Sequence, residues 1–255
     1  MAHETLRAAA PALARDDIPA ANPAALPVLS VIMPVYNEEA TLAEVVHRVL
    51  SLDLGVEIDL IAVDDGSSDE SVAILHGIAD PRLRIASHAT NRGKGAAIKT
   101  GLTVAMGDVV VIQDADLEYD PTQWATLLEP ILAGAADVVY GSRFLGETHG
   151  MRWQNRAANK ALTALTRLLY GSHITDMETC YKLIRLDLLD DMRLEANRFD
   201  IEPEITGRLL RRGVTIHGMP IAYEARTHDA GKKIGWTDGL AAIRTLAKWR
   251  IRRTP

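Results

Sequence analysis

Four β-branched apolar residues in a row, Val109–Ile112, run through Gln113 into Asp114–Ala115–Asp116. An apolar run of that kind suits a strand buried on both faces, as in the parallel sheets of α/β proteins. In such sheets ligands gather beyond the carboxyl ends of the strands. Two carboxylates placed there one residue apart repel each other unless a cation lies close. Hard oxygen donors suit Mg²⁺ or Mn²⁺, and these ions suit a diphosphate. The step from Val109 to Asp116 therefore predicts a metal–nucleotide site.

The flanking pattern agrees. From Pro27 onward, short apolar runs alternate with amphipathic stretches. Strands are expected at Val28–Met33, Ile58–Val63, Leu83–Ser87, Val109–Gln113 and Val138–Gly141. Helices are expected at Glu38–Leu50, from Ser68 or Asp69 through Ile78, at Gly95–Ala105, and from Pro121. Such alternation implies parallel crossovers and a doubly wound, mostly parallel sheet with a Rossmann-like nucleotide-binding half. The second half is less regular. It should hold helices at Gln154–Leu169, Pro203–Arg212 and Trp236–Ile251 and strands at Cys180–Ile184 and Val214–Met219, and shape an acceptor side. The last helix reads as amphipathic, with Trp236, Leu240, Ile243, Leu246 and Ala247 on one side. One domain over 27–255 is expected, after an Ala/Pro-rich disordered extension over 1–26.

Composition narrows the class of partner. A net charge of −6 argues against a nucleic-acid binder that works by overall charge. The single cysteine, Cys180, excludes an internal disulfide and fits a reducing, cytoplasmic compartment. No apolar run reaches about 18 residues, so a membrane span is not expected.

Three loops should follow the first three strands. Pro34 ends the first strand because it cannot donate to a ladder. Tyr36 behind it offers a flat face for a base, and Glu38 can accept hydrogen bonds from one. Asp64 and Asp65 can accept a base N–H and a ribose hydroxyl, or simply build a turn with Gly66. Asn91–Arg92–Gly93–Lys94–Gly95 is a glycine-spaced basic loop opening a helix, whose N–H groups favour a phosphate. It lacks Walker spacing. His47, His76 and His88 are expected at the surface, and no pair has zinc-ligand spacing.

Taken in order, Pro-x-Tyr-Asn-Glu, Val-Asp-Asp-Gly-Ser-x-Asp, Asn-x-Gly-Lys-Gly and Asp-Ala-Asp resemble the family 2 glycosyltransferases of GT-A fold. The likeness is greatest to the polyprenyl-phosphate sugar branch, typified by dolichol-phosphate mannose synthase. The resemblance implies that Pro34, Tyr36, Glu38 and one of Asp64 or Asp65 hold the base. Lys94 and Ala115 would line the nucleotide. Asp114 and Asp116 would hold the metal and the donor diphosphate, with Glu118 following as a further ligand.

On the acceptor side, Gly141–Ser142–Arg143–Phe144 resembles the segment whose arginine meets the acceptor phosphate. Asp176–Lys182 matches Asp-x-x-[Ser/Thr]-Gly-[Phe/Tyr]-[Lys/Arg], with Cys180 where glycine is common. Arg226–Lys233 resembles a basic loop that closes over phosphates, through Arg226 and either Lys232 or Lys233. Asp116, Arg143, Arg226 and Lys232 are the implied catalytic group, and His228 lies in the same loop.

The implied reaction moves a sugar, with inversion, from a UDP- or GDP-sugar to a polyprenyl phosphate. Such an acceptor is already anionic and needs no general base. A hydroxyl acceptor on a saccharide or glycolipid would need one, and Asp176, Glu178, Asp200 and Glu202 are the candidates. A non-catalytic nucleotide-binding module is the third reading. Arg244, Lys248, Arg250, Arg252 and Arg253 crowd the chain's end, which fits anionic lipid on the inner face of the cytoplasmic membrane. They equally suit a helix C-terminus packed on the core.

Overall fold

The computed structural model describes residues 27–225 and 236–252. The first half alternates β1 (Val28–Val35), α1 (Leu42–Leu50), β2 (Glu57–Asp64), α2 (Ser71–Gly77), β3 (Leu83–Ser87), α3 (Lys94–Val104), β4 (Val109–Ile112), α4 (Trp124–Leu132) and β5 (Val138–Ser142). There follow β6 (Thr148–His149), α5 (Trp153–Tyr170), β7 (Lys182–Arg185), α6 (Ile201–Arg211), β8 (His217–Pro220), β9 (Tyr223–Glu224) and α7 (Trp236–Ile251).

Seven strands form one sheet in the order β3-β2-β1-β4-β7-β5-β8. All four residues of β4 are buried, as an uninterrupted β-branched run demands. β1 pairs in parallel with β2 on one side and β4 on the other, with Val35 opposite Asp64 and Ile32 opposite Ile112. The loops after β1, β2 and β4 therefore leave one edge of the sheet together. This is the switch point at which doubly wound sheets bind ligands.

Parallel pairing fails at β7, which runs antiparallel to both β4 and β5. The physical reason is where the chain arrives. After α5, the stretch 171–181 returns to the carboxyl edge of β4, so β7 has to run away from it. That reversal puts Asp176, Glu178 and Lys182 on the same edge as Asp114. A parallel pair the sequence pattern did not signal, β6 with β9, lies apart from the main sheet and brings Tyr223 towards this edge.

Two helices start later than expected. Residues 37–41 precede α1 as a loop tied to the residues before α2. Glu38 N–H donates to Ser71 Oγ (2.9 Å), and Glu39 N–H donates to Asp69 Oδ2 (3.0 Å). Asp69 Oδ1 also accepts from Ser71 N–H (3.0 Å), so this carboxylate joins two loops as well as serving the helix start.

α7 has the expected bounds but turns a different face inward. Ala242, Leu246 and Trp249 are buried, whereas Leu240 and Ile243 stay exposed. The helix packs on α5 and α6. Arg208 of α6 lies over the Trp249 ring (4.3 Å), and Glu195 pairs with both Lys248 (2.5 Å) and Arg252. The C-terminal cations are thus partly matched by an acid from a preceding loop.

Candidate active site

The loops after β1, β2 and β3 build one wall. Tyr36 and Glu38 are half-buried there. Asp64 accepts N–H bonds from Gly66 (3.2 Å) and Ser67 (3.2 Å) and so shapes its own turn. Asp65 reaches further, accepting from Arg92 N–H (2.9 Å) and Gly93 N–H (2.7 Å). Its Oδ1 also lies 2.6 Å from His88 Nδ1, and His88 Nε2 lies 2.8 Å from Thr100 Oγ1. The His88 side chain is therefore buried, contrary to the surface position expected from sequence. It links β3 to α3 and holds Asp65 in place.

The glycines of the basic loop have a steric reason. A Cβ on Gly93, at φ +98°, would lie 2.3 Å from Asn197 O, and one on Gly95 would lie 2.7 Å from Ala196 O. Backbone from the segment before α6 passes directly beneath them. The Ala96 N–H at the start of α3 bonds to Asn197 O (3.1 Å) and Gly93 O (2.9 Å), so this N–H is engaged within the protein. Glu204 fixes that underlying segment by accepting N–H bonds from Glu195 (2.9 Å) and Ala196.

Lys94, between the glycines, points into the site. Its Nζ lies 2.7 Å from Asp114 Oδ1 and 3.3 Å from Glu202 Oε1. Glu202 pairs on its other side with the fully buried Lys182 at 2.6 Å. Burial works against the Lys94 charge, but Asp114 and Glu202 outweigh it and hold its pKa well above the usual lysine value. Asp114 is thus wired through Lys94 and Glu202 to Lys182 on β7.

Asp116 is nearly buried and accepts the Glu118 N–H (3.1 Å) through Oδ1. Buried Ala115 lies between the two aspartates, and its carbonyl accepts from Thr41 Oγ1 (2.8 Å). Glu118 turns to another partner, accepting from the Tyr223 hydroxyl (2.7 Å). Among the described residues no three His, Cys, Asp or Glu side chains gather into a metal cage. Two hard carboxylates still fit Mg²⁺ or Mn²⁺ of the kind completed by substrate phosphates and water.

Across the site, Arg143 is clamped by Asp176. Its Nε and Nη2 donate to the two carboxylate oxygens at 2.7 and 2.8 Å, and its backbone N–H adds a third bond at 3.1 Å. The guanidinium also lies over the Tyr223 ring (5.4 Å). Cys180 is buried against Ile112 O (3.4 Å), and burial pushes its thiol pKa well up, as suits a structural residue. Arg226, His228, Lys232 and Lys233 lie outside the described residues.

Sequence reasoning gives three contributors a different part. It names Glu202 only as a candidate base for a hydroxyl acceptor and Lys182 only within the Asp176–Lys182 stretch, and here they carry the charge chain. His88 gave no signal, because its partners are 23 and 12 residues away.

Comparison with known proteins accords with this geometry. The polyprenol monophosphomannose synthase of Mycolicibacterium smegmatis is 29% identical over 233 residues, which cover 87% of this chain and 86% of that protein. The undecaprenyl-phosphate 4-deoxy-4-formamido-L-arabinose transferase of Edwardsiella ictaluri is 30% identical over 209 residues, or 80% of this chain. This chain spans 62% of the length of that relative. Glucosyl-3-phosphoglycerate synthase from Mycobacterium tuberculosis, solved with phosphoglyceric acid, superposes with a TM-score of 0.68 at 22% identity, covering 88% of this chain and 79% of its own. A second structure of that protein, holding Mn²⁺, uridine diphosphate and glucosyl-3-phosphoglycerate, gives 0.66 at 22% identity, covering 88% and 78%. Those likenesses establish the GT-A architecture. Since the profile of glycosyl transferase family 2 also matches residues 30–193, the chain belongs to that family.

Proposed function

We propose that this protein transfers a sugar from a nucleoside diphosphate sugar to the phosphate of a polyprenyl monophosphate, inverting the anomeric carbon. The observation that carries this reading is the pairing state of the acidic groups around Arg143. Asp176 is spent on Arg143, and Glu202 is spent on Lys94 and Lys182. Two of the three carboxyls near Arg143 are so engaged, which suits an acceptor that arrives anionic and needs no base, while the Oε1 of the third, Glu178, has no hydrogen-bond partner. The names of the two relatives point to the same acceptor class.

In this reading Tyr36, Glu38 and the Asp64–Asp65 turn hold the base and ribose. Asp114 and Asp116 hold the divalent cation, and Lys94 keeps Asp114 oriented. When bound, that cation supplies charge neutralisation to the departing diphosphate. Arg143 holds the acceptor oxygen in line behind C1, so that alignment lowers the barrier. Arg226 and Lys232 or Lys233 would supply further cations to the phosphates. The test is product mass spectrometry with UDP- and GDP-sugars, offered a polyprenyl monophosphate and simple glycosides in parallel. A glycosylated polyprenyl phosphate is expected; products on glycoside hydroxyls alone would refute the reading.

A polyprenyl acceptor lies in a bilayer, so the enzyme has to meet a lipid surface. Among the described residues no helix is long and apolar enough to cross a membrane. α5 leaves Trp153 and Leu168 exposed, carries Lys160 and Arg167, and holds no acid in its 18 residues. Adjacent α7 exposes Leu240, Ile243 and Ile251 beside Arg244 and Arg250. Exposed apolar groups among cations suit peripheral contact with anionic lipid on the cytoplasmic leaflet.

Substitution tests this better than truncation before Lys248, which would remove the buried Trp249. The double variant Leu168→Glu/Ile251→Glu should bind anionic vesicles at least about a hundredfold more weakly than wild type in flotation titrations, since two apolar side chains at about 1.5–3 kcal/mol each contribute roughly 3 kcal/mol or more when buried. Equal recovery of both proteins would count against this surface.

A further inference from the structure

Glu178 feels the charges of both clusters and, among the described residues, forms an ion pair with neither. Arg143 faces it from the loop after β5, Lys182 from β7, Glu202 from α6, and Asp176 from its own loop. These groups are already matched, Arg143 by Asp176 and Lys182 by Glu202, while Lys94 is shared by Asp114 and Glu202. Three cations thus oppose three carboxylates before Glu178 is counted. Its Oε1 is buried without a hydrogen-bond partner, and so is the hydroxyl of the next residue, Thr179. The residue as a whole retains partial exposure, so the group is not sealed off from the site.

A buried oxygen that accepts no hydrogen bond is a poor place for half a negative charge. The neutral acid resolves this: its carbonyl oxygen tolerates the dry side, and its other oxygen carries a hydrogen that can be donated. We infer that the Glu178 carboxyl is an acceptor-binding group, donating a hydrogen bond to a phosphate oxygen of the acceptor beside Arg143. This rests on the acceptor class proposed above. An ionised Glu178 would repel the incoming phosphate, whereas the neutral acid adds a donor that Arg143, half-consumed by Asp176, does not supply. Burial is the main cause that raises the Glu178 pKa, to about 7, with the Lys182 charge opposing it. A phosphate arriving next to the group would favour the proton further.

The test compares wild type, Glu178→Gln and Glu178→Ala with polyprenyl monophosphate as acceptor between pH 6 and 9. Wild-type acceptor KM should rise about tenfold per unit above pH 7, relative to Glu178→Gln, because one required proton is lost. The amide keeps a neutral donor, so Glu178→Gln should retain turnover within a few-fold of wild type at pH 6.5. Glu178→Ala should raise acceptor KM relative to Glu178→Gln at every pH and leave the donor KM unchanged. A general base would behave in the opposite way, with Glu178→Gln inactive and wild-type activity climbing as the carboxylate forms. That result, or a change confined to donor KM, overturns the inference.

Thermal melting of both proteins without substrate reads the proton independently of acceptor identity. An acid whose pKa is raised on folding loses stability as pH climbs from 4.5 towards 7. Wild type should therefore lose melting temperature relative to Glu178→Gln across that window, and parallel curves would overturn the neutral-acid assignment. Absence of wild-type transfer to any polyprenyl monophosphate would instead refute the acceptor class, and with it the acceptor contact, while the melting curves still report the protonation state.

Discussion

Asp116→Ala should lower kcat/KM by about a thousandfold or more, the loss expected when several kcal/mol of charge stabilisation leave a transition state. The fold should survive. Its hydrogen bond from Glu118 N–H, two residues on, stabilises by about 0.5–1.5 kcal/mol. In a domain of this size that corresponds to a fall of only a few degrees in melting temperature, at roughly 2–4 °C per kcal/mol. Asp114→Ala is the less clean experiment. It strips Lys94 of its closest partner, at 2.7 Å, and so disturbs the chain through Glu202 to Lys182. The measurement is initial-rate transfer to polyprenyl phosphate over a Mg²⁺ and Mn²⁺ titration, with circular dichroism on the same preparations. Turnover within tenfold of wild type would remove Asp116 from the diphosphate site.

The arrangement of the strand-end residues is legible in one dimension because they follow one another at the ends of successive strands. β3 and α7 have the bounds their patterns predict, and β4 and β5 differ by one residue. Parallel register then brings loops that are distant in sequence to a single edge. What pattern cannot supply is the partner of each charged group. Asp64 and Asp65 read as ligands for base and ribose, yet their N–H partners lie as far away as Arg92 and Gly93. The direction of β7 is equally hidden, since it depends on where 171–181 lands rather than on local propensity.

α7 shows a different limit. Its sequence carries two stripes of helical spacing, one through Leu240 and Ile243 and one through Ala242, Leu246 and Trp249. Hydrophobicity alone favours the first. The structure buries the second, where small Ala242 lets α7 sit close and Trp249 fits beneath Arg208. The bulkier stripe is thereby left outside, on the surface proposed above to meet lipid.

Asp176→Ala should destabilise the protein by about 3–5 kcal/mol, because it leaves the Arg143 guanidinium buried without its counter-ion. Asp176 is fully buried and the Arg143 side chain is 7% exposed, so water cannot replace the lost partner. Against a total stability of about 5–15 kcal/mol this is a large fraction, readable as a fall in melting temperature of roughly 6–20 °C. The loss of acceptor turnover in that variant is uninformative by itself, because a loosened site and a missing contact look alike.

The double variant Arg143→Met/Asp176→Leu separates them. Replacing both charges with apolar side chains of similar bulk removes the unpaired ion, and stability should return to within about 1–2 kcal/mol of wild type. Transfer should not return. If Arg143 binds the acceptor phosphate, the restored fold still lacks the cation, and acceptor KM should stay raised at least about a hundredfold, the worth of a charge-assisted contact of roughly 3 kcal/mol. A double variant that is both stable and active would show that the Arg143–Asp176 clamp is a packing device. In that case the acceptor phosphate would have to be met from the segment between Ala225 and α7, where Arg226, Lys232 and Lys233 supply the cations.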